Sequence, residues 1–433
     1  MLHKKRFTRR KFLRSLCLFS AFLCSGCSFD FMRRLKKSVH GANGNQLTDA
    51  EFIRQIVTAD PSTSRTIMWQ SAAKQDDCHI NIRKTGQKKI TSISGTTEPF
   101  TDDGQQAFLH TVRLAGLTPQ TNYEYQLQNK TAATDWFPLS TGNTDTFKAL
   151  IFPDSQCSDY SVWQKNARTA FKNHPDCSFF INMGDLVDNG EDHHQWEAWF
   201  DAVDENIRQI PFAPVMGNHE TYNKNWKVRS PQAYLQEFAV PGNNSQTFDR
   251  YYYSFDWGDA HFVVLNTQHD ELKELTDEDL IAEQIAWLRH DCTASSKKWR
   301  IALLHKDILR YAIRTRPERI QGISDIGHIY APIFEELGFD LVLTAHLHTY
   351  RNRGCLSNFV PDSNGPLYIL TGVAGNIFYN NFWLDHKLDK VKAPQPETGN
   401  CLTLTVNSNQ LKLESFLFDG TKFDEIILNQ KYR

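Results

Sequence analysis

Two carboxylates follow a short apolar run in residues 179–190, which read FFINMGDLVDNG. The run FFIN is typical of a buried β-strand, and the chain then reaches Gly184, Asp185 and Asp188. Charged groups at the edge of an apolar core are costly unless a partner neutralises them. Because a carboxylate can bridge two cations about 3.5–4 Å apart and Gly184 permits a sharp turn, we expect Asp185 to bridge two metal ions. Asp188 either binds a metal or orients a ligand.

Side chains of the same chemical kind follow four other apolar runs. The residues after ALIFP, PFAPVMG, RIALL and DLVLTA are, in order, Asp154 and Gln156; Asn218, His219 and Glu220; His305; and His346 and His348. A single Asp in such a position is usually a turn former, and a single buried His is usually a hydrogen-bonded core residue. Five strand ends with oxygen and imidazole donors, and no thiolate, instead favour one or two Fe, Mn, Zn or Co ions. Strand ends of an α/β sheet converge on one crevice, so we expect these groups to meet.

The strands that would position these groups belong to an α/β pattern over residues 147–433. The apolar runs ALIF, FFIN, HFVVLN, RIALL, DLVLT and LYILTG predict buried strands. The segments SVWQKNARTAF and QWEAWFDAVDENIRQI predict amphipathic helices, the second with Ile207 and Ile210 on its apolar face. The C-terminal segment CLTLTVNSNQLKLESFLFDG alternates with a period of two and predicts a closing hairpin.

The pattern before residue 147 is different. Residues 48–146 contain short alternating runs, RTIMWQS, HINIRK, FLHTVRL and YEYQLQ, separated by turn signals, and this spacing predicts a small β-sandwich. Residues 28–47 are polar and basic and predict a tether. Residues 1–27 have a basic head, an apolar stretch shorter than the ~20 residues of a membrane span, and small residues at the end, which predicts a signal peptide.

The export signal has two finer features. TRRKFLR, at residues 8–14, resembles a twin-arginine signal, and LCSGC resembles a lipoprotein box that ends at Cys27. The alternative is an ordinary cleaved signal peptide. We therefore predict a protein of the cell envelope, either anchored by lipid at Cys27 or periplasmic or secreted.

Charge and cysteine content limit the partners. Residues 28–433 contain 41 Lys and Arg against 50 Asp and Glu, a net charge of −9, which argues against non-specific nucleic-acid binding. Six cysteines follow the signal with wide spacing and no C-x-x-C pair, so a zinc ribbon is not expected. Disulfides and free buried thiols are both compatible with this pattern, and the sequence leaves the oligomeric state open.

The motif order D-S-Q, GDLVD, GNHE, LLH, AHLH resembles the calcineurin-like metallophosphoesterases, and in particular their bacterial purple-acid-phosphatase-like branch. FLHTVRLAGLTPQTNYEYQL is similar to the fibronectin-III-like N-terminal domain of that branch. YYYSFDWGDAHFVVLNTQ, WRIALLHK and GPLYILTGVAGNIFY resemble its catalytic core. The resemblance implies an α/β fold with two β-sheets flanked by helices, preceded by a small all-β sandwich.

The resemblance also implies a role for each motif residue. Asp154 and His348 would bind the first metal, Asn218, His305 and His346 the second, and Asp185 would bridge them. His219 would protonate the leaving group or steady the transferring phosphoryl group. No substrate-binding residue is assigned, because Asn223, Trp226 and Tyr350 either line a pocket or, as we favour, pack within loops.

Three positions depart from the family pattern. Gln156 stands where many metallophosphoesterases have His, and Asp188 stands where purple acid phosphatases have a metal-binding Tyr. The colour of those enzymes comes from that tyrosinate bound to ferric iron. Ala345 replaces the Gly of the usual GHxH, at a cost in backbone freedom. The fourth ligand of the first metal therefore stays open between Gln156 and Asp188.

The predicted function is that of an exported, dinuclear-metal phosphohydrolase that cleaves small phosphate esters. We expect an acid-phosphatase-like phosphomonoesterase in which a metal-bound hydroxide attacks phosphorus. The metals would be Fe, Mn or Zn. The alternatives are a phosphodiesterase or nucleotidase of the same superfamily and, from another class, a catalytically dead surface binding module.

Overall fold

The computed structural model describes residues 47, 49–75, 77–142 and 145–430. The predicted signal peptide, including Cys27, and nearly all of the predicted tether lie outside these residues. Within the described ranges, no helix is long and apolar enough to cross a membrane.

The N-terminal part of the described chain is all β. Its strands are β1 (Glu51–Ile56), β2 (Arg65–Ser71), β3 (His79–Lys84), β4 (Thr91–Ser94), β5 (Thr96–Asp102), β6 (Gln105–Leu114), β7 (Asn122–Gln128) and β8 (Phe137–Ser140). Strands β4, β3, β7 and β8 form a four-stranded sheet. Its buried side chains, such as Ile80 and Tyr125, share one apolar core with Ile67 of β2 and Val112 of β6. The predicted sandwich is therefore confirmed as an all-β unit, and each of the four quoted runs lies in a strand.

The remainder of the described chain is mixed α/β. Its strands are β9 (Thr146–Phe152), β10 (Phe179–Asn182), β11 (Phe212–Pro214), β12 (Tyr253–Trp257), β13 (Ala260–Leu265), β14 (Trp299–Leu304), β15 (Leu309–Arg310), β16 (Gly322–Ile323), β17 (Leu341–Thr344), β18 (Tyr350–Ser357), β19 (Val360–Pro361), β20 (Leu367–Thr371), β21 (Val391–Lys392), β22 (Asn400–Asn407), β23 (Gln410–Leu417) and β24 (Lys422–Asn429). Its helices are α1 (Tyr160–Asn173), α2 (His193–Ile207), α3 (Gln232–Glu237), α4 (His269–Leu272), α5 (Leu280–Ala294) and α6 (Asp325–Glu336).

Two large sheets carry the catalytic unit. One has ten strands in the order β24-β23-β22-β9-β10-β11-β1-β2-β6-β5, and the other has the order β12-β13-β14-β17-β20-β18-β19, with β21 on β18. The sheets meet in one apolar core, where the rings of Phe179 and Phe262 lie edge to face at 5.6 Å. Trp163 of α1 and Trp199 of α2 belong to the same core, and α5 and α6 pack on the other sheet through side chains such as Leu288 and Phe334. The predicted fold class is confirmed.

Three features differ from the sequence pattern. The ten-stranded sheet crosses residue 147, because β1 pairs in parallel with β11 through Ile56 and Phe212. The C-terminal hairpin is β22–β23, as predicted, and β24 extends it by a third strand. Helix α2 ends at Ile207, so Ile210 lies beyond the helix, where its partly buried side chain still packs on the core.

Candidate metal centre

The turn after β10 places Asp185 in an unusual backbone conformation. Gly184 has φ 98° and Asp185 has φ 48°, in the left-handed region that bulkier residues rarely adopt. A Cβ atom at Gly184 would lie 2.5 Å from Nδ1 of His305, so only glycine fits there. His346 and His348, after β17, also have positive φ, of 75° and 50°. Such backbone strain is concentrated at functional sites because the surrounding structure must hold it.

Two clusters of potential ligand atoms share Asp185. The ligand atoms of Asp185, His305 and His346 lie within 4.8 Å of one another, and so do those of Asp154, Asp185 and His348. Oδ2 of Asp185 lies 3.0 Å from Nε2 of His305, and Oδ2 of Asp154 lies 3.1 Å from Nε2 of His348. The structure thus brings the acids and imidazoles of four separate strand ends into one site.

Backbone carbonyls orient two of the imidazoles. Nδ1–H of His305 donates to the carbonyl of Met183 at 2.9 Å, and Nδ1–H of His348 donates to that of Ile377 at 2.6 Å. Each contact leaves Nε2 directed toward a carboxylate. The amide oxygen of Asn218 lies 3.3 Å from Nε2 of His305, so Asn218 lies beside the cluster of Asp185, His305 and His346. This arrangement is typical of histidines that bind metals, because the second nitrogen fixes the tautomer.

The electrostatics of the site favour cations. Burial alone would raise the pKa of Asp185, but His305 and His219 hold that pKa well below its usual range. Burial and the nearby His305 lower the pKa of His346, so its imidazole stays neutral and able to bind a metal.

His219 lies beside this cluster. Its Nδ1–H donates to the backbone carbonyl of Asp188 at 2.7 Å, and its Nε2 lies 3.9 Å from Oδ2 of Asp185. The backbone N–H of His219 donates to Oδ1 of Asp185 at 2.9 Å. Since Nδ1 is engaged, Nε2 is the nitrogen that faces the cluster. This geometry suits proton transfer to a group held between His219 and Asp185.

The three departures from the family pattern occupy different places. Gln156 is buried beside Asp154, and its backbone N–H donates to the carbonyl of Asp185 at 2.9 Å. The carboxylate of Asp188 is 29% exposed and lies 3.7 Å from Nδ1 of His219, and burial raises its pKa. Asp188 is not among the carboxylates of the two ligand clusters. The side-chain oxygen of Gln156 is buried without a hydrogen-bond partner among the described residues, so Gln156 stays a candidate for an additional ligand. Ala345 is fully buried without positive φ, so the backbone freedom of a glycine is not needed at that position.

Two supporting residues were not assigned roles from the sequence. Glu220, fully buried, accepts hydrogen bonds from the backbone N–H groups of Asp185 and Gly217 at 3.0 and 2.7 Å. Tyr160 accepts the backbone N–H of Asp188 at 3.0 Å through its hydroxyl. The role of Glu220 could have been found from the GNHE motif, because a carboxylate three residues after Gly217 is placed to accept the backbone N–H of that glycine. Tyr160 lies in α1, and no sequence motif indicated its role.

The three residues considered for a substrate pocket lie in different environments. Tyr350 is buried in the core, with its hydroxyl on Asp424 at 2.7 Å. Asn223 holds a loop, because its side-chain oxygen accepts the backbone N–H groups of Asn225 and Lys227. Trp226 is 56% exposed, and its ring lies 5.6 Å from that of His219. Of these three, Trp226 is the one that faces solvent at the site.

The residues present fit a pair of metal ions. Oδ2 of Asp154 and Nδ1 of His346 are buried without a hydrogen-bond partner among the described residues. Buried polar atoms rarely lack a hydrogen-bond partner unless an ion or a water molecule binds them. The donors are oxygen and imidazole nitrogen, as first-row divalent metals and iron accept. Buried donors of this kind are typical of a metal-binding site.

Comparisons with known proteins define the family. Residues 132–350 match the family model described as calcineurin-like phosphoesterase, and residues 50–141 match the purple acid phosphatase N-terminal domain. The chain belongs to the calcineurin-like phosphoesterase family, so the resemblance drawn from its motifs is confirmed. It is a metal-dependent phosphoesterase of the purple-acid-phosphatase-like kind, in a family that uses a dinuclear metal centre and acts on small phosphate esters.

Individual relatives agree with this family. The chain is 23% identical to purple acid phosphatase 23 of Arabidopsis thaliana over 76% of its own length and 75% of that protein. It is 25% identical to purple acid phosphatase 15 of the same plant, over 67% of its own length and 57% of that protein. The purple acid phosphatase PPD1 from yellow lupin seeds has the same fold, with a TM-score of 0.71 and 16% identity over 90% of this chain and 76% of that one.

Proposed function

We propose that the protein is an exported phosphomonoesterase whose two metal ions are held by six side chains. Asp154 and His348 would hold the first ion, and Asn218, His305 and His346 the second, with Asp185 between them. The observation that carries this proposal is that both ligand clusters contain Asp185, which is the arrangement a bridging carboxylate requires.

When bound, two such cations would polarise the phosphoryl oxygens and lower the pKa of a coordinated water, so the predicted nucleophile is hydroxide. The residues of this chain supply the remaining requirements. Buried carboxylates and imidazoles hold the positive charge in place without reorganising during the reaction. Gln156 and Asp188 would lie outside the six ligands, with Asp188 close enough to His219 to influence it.

In this proposal His219 is the general acid. As imidazolium, it would donate the proton on Nε2 to the ester oxygen that departs, while Nδ1–H stays on the carbonyl of Asp188. The 3.9 Å between Nε2 and Oδ2 of Asp185 places the proton beside the predicted bridging group.

A phosphodiesterase or nucleotidase of the same superfamily is the nearest alternative, because the same metal chemistry serves diesters. A catalytically dead surface module is the alternative from another class. The complete ligand set argues against it, since no position of the two clusters has lost its donor.

A substrate panel tests the proposal. The metal-replete protein, loaded separately with Fe, Mn or Zn, is assayed with phenyl phosphate and with its bis-phenyl diester. We expect the monoester to be cleaved with the higher kcat/KM. Preference for the diester would move the assignment to a phosphodiesterase, and no hydrolysis with any metal would favour the binding module.

We propose export on the sequence alone. Residues 1–27 would be the signal peptide, residues 28–47 a tether, residues 48–146 a fibronectin-III-like sandwich and residues 147–433 the catalytic domain. Lysine at both Arg9 and Arg10 should trap precursor in the cytoplasm if the twin-arginine route is used. Cys27→Ala should release the protein from membranes if Cys27 carries lipid. Unchanged localisation in both variants would contradict both the twin-arginine route and the lipid anchor at Cys27.

A further inference from the structure

A large aromatic ring stands exposed directly beside the proposed general acid. The indole of Trp226 is 56% exposed and lies 5.6 Å from the imidazole of His219, with the two ring planes at 89°. The ring of Tyr222 lies 6.1 Å from His219, also at 89°, and 6.1 Å from Trp226. Two aromatic side chains therefore flank the imidazole on the open side of the site.

The loop that carries Trp226 is held in a strained conformation. Trp226 has φ 59°, which is rare for a bulky side chain. Its backbone N–H donates to the carbonyl of Asn223 at 2.8 Å and closes a turn. The turn therefore leaves the indole at the surface, beside His219 and outside the core.

Contacts on both sides anchor this loop. The carbonyl of Asn223 accepts a hydrogen bond from Nδ2 of Asn189, next to Asp188, at 2.6 Å. The backbone N–H of Lys224 donates to Glu191 at 2.8 Å, and its Nζ pairs with Asp103 at 2.8 Å. The loop is therefore tied both to the metal-site turn and to the N-terminal sandwich, which fixes the backbone from which the indole extends.

Tyr222 is fixed in a similar way. Its hydroxyl donates to Oε1 of Glu271 at 3.4 Å, and the same carboxylate pairs with Lys306, next to His305, at 2.8 Å. Burial raises the pKa of Tyr222 to about 12, so the ring stays neutral near neutral pH. The exposed indole of Trp226 and the partly buried ring of Tyr222 thus lie together beside His219.

From these contacts we propose that Trp226 and Tyr222 bind an aromatic leaving group, so that the enzyme prefers aryl phosphates to alkyl phosphates. This inference deepens the proposed function and depends on it. An aryl ring attached directly to the ester oxygen would lie against the indole while His219 reaches that oxygen. Stacking of aromatic pairs contributes beyond area burial, and an exposed indole is the residue best suited to it. Alkyl esters place no ring at this point.

The test compares O-phosphotyrosine with O-phosphoserine, which share the amino-acid frame and differ in the leaving group. For Trp226→Ala we expect kcat/KM for phosphotyrosine to fall about 3–10-fold, mainly through KM, and kcat/KM for phosphoserine to change less than about 2-fold. Trp226→Phe should restore most of the preference. Trp136→Ala is the matched control, because its ring lies in the sandwich beneath the guanidinium of Arg83.

The outcomes separate the two proposals. If the wild type hydrolyses neither ester, the proposed function fails. If the wild type hydrolyses both and Trp226→Ala changes them in parallel, or changes neither, only the aromatic preference is wrong. Because the indole is exposed, the variant should unfold at the same temperature as the wild type, and a shift in Tm of both Trp226 variants would make the effect a structural one and overturn the inference.

Discussion

One buried carboxylate connects the two turns that carry the predicted bridging and second-metal ligands. Oε2 of Glu220 accepts the backbone N–H of Asp185 and also that of Gly217, which precedes Asn218. Oε1 accepts the N–H of Leu186 at 2.8 Å. Burial, followed by the proximity of Asp185, raises the pKa of Glu220 to about 7. Glu220 therefore fixes how far the turn after β10 stands from the turn after β11.

The first prediction concerns this carboxylate. Glu220→Gln places an amide NH2 where an oxygen accepts backbone N–H groups, so the turns must separate. We expect metal affinity or activity to fall about 10–100-fold, as for other groups that support metal ligands. The metal that each variant retains after dialysis against a weak chelator measures this loss of affinity. Glu205→Gln is the control, because Glu205 is exposed on α2. Equal retention of metal in both variants would show that Glu220 only stabilises the fold.

The second prediction separates ligands from the acid. Asp185→Asn should lose activity and at least one metal, because an amide bridges two cations poorly. His219→Ala should retain both metals and lose kcat by about 10²–10⁴-fold. Elemental analysis of the two purified variants decides between these roles. Loss of metal from the His219 variant would identify His219 as a ligand.

The third prediction concerns colour. The resemblance of the GDLVD motif implies that Asp188 stands where purple acid phosphatases have their colour-giving tyrosinate, so the active, iron-loaded protein should have no strong visible band. Two tyrosines lie near the predicted metal centre. The ring of Tyr379 lies 4.9 Å from that of His348. The hydroxyl of Tyr160 lies 3.2 Å from Oε1 of Gln195. Burial raises the pKa of both tyrosines, which favours neutral phenols. A green-absorbing band that Tyr379→Phe removes would instead identify Tyr379 as a ligand.

The fourth prediction concerns stability and pH. Burial alone would lower the pKa of His261, but hydrogen bonds to Asp256 and Asp291, at 2.7 and 3.0 Å, raise that pKa to about 11. A folded-state pKa above the unfolded value of about 6.5 stabilises the protein fully below pH 6.5 and progressively less as pH rises toward 11. Charged hydrogen bonds of this kind contribute about 1.5–3 kcal/mol.

Urea unfolding at pH 6 and pH 9 measures this effect. Between pH 6 and pH 9 the free energy of unfolding should fall more for the wild type than for His261→Gln. The two proteins should therefore differ most in stability at pH 6. His290→Gln, exposed on the same helix as Asp291, should follow the wild type. A parallel pH dependence for His261→Gln would mean that the imidazole is not charged in the folded protein.

Local patterns predicted most of the elements. The four residues buried in α1, Trp163, Ala167, Ala170 and Phe171, recur at helical spacing in the segment that predicts this helix. The strands that precede the site residues appeared as short apolar runs, since both faces of each strand are covered. The rule that parallel strand ends share one edge accounts for Asp154 beside Asp185, after β9 and β10, and for His305 beside His348, after β14 and β17. The meeting of the two pairs depends on how the two sheets pack.

Long-range pairing could not be predicted in the same way. The alignment of β1 with β11 joins Ile56 to Phe212, far along the chain, and no periodicity encodes a partner at that distance. The hydroxyl of Tyr160 on Asp188 depends on how α1 lies against the site, which is a tertiary fact. Likewise the end of α2 at Ile207 is set by the chain turning into β11, while Ile210 keeps its apolar contact outside the helix.

The sheet that passes through β1 also restricts motion. Backbone hydrogen bonding from β11 to β1, and a buried pair between Arg54 of β1 and Glu237 of α3 at 2.7 Å, hold the N-terminal unit against the catalytic unit. Gln70 of β2 donates to the same carboxylate. A hinge at this junction would have to break the β1–β11 pairing and separate the buried Arg54–Glu237 ion pair, which is strongly unfavourable. The N-terminal unit is therefore a fixed wall and not a lid.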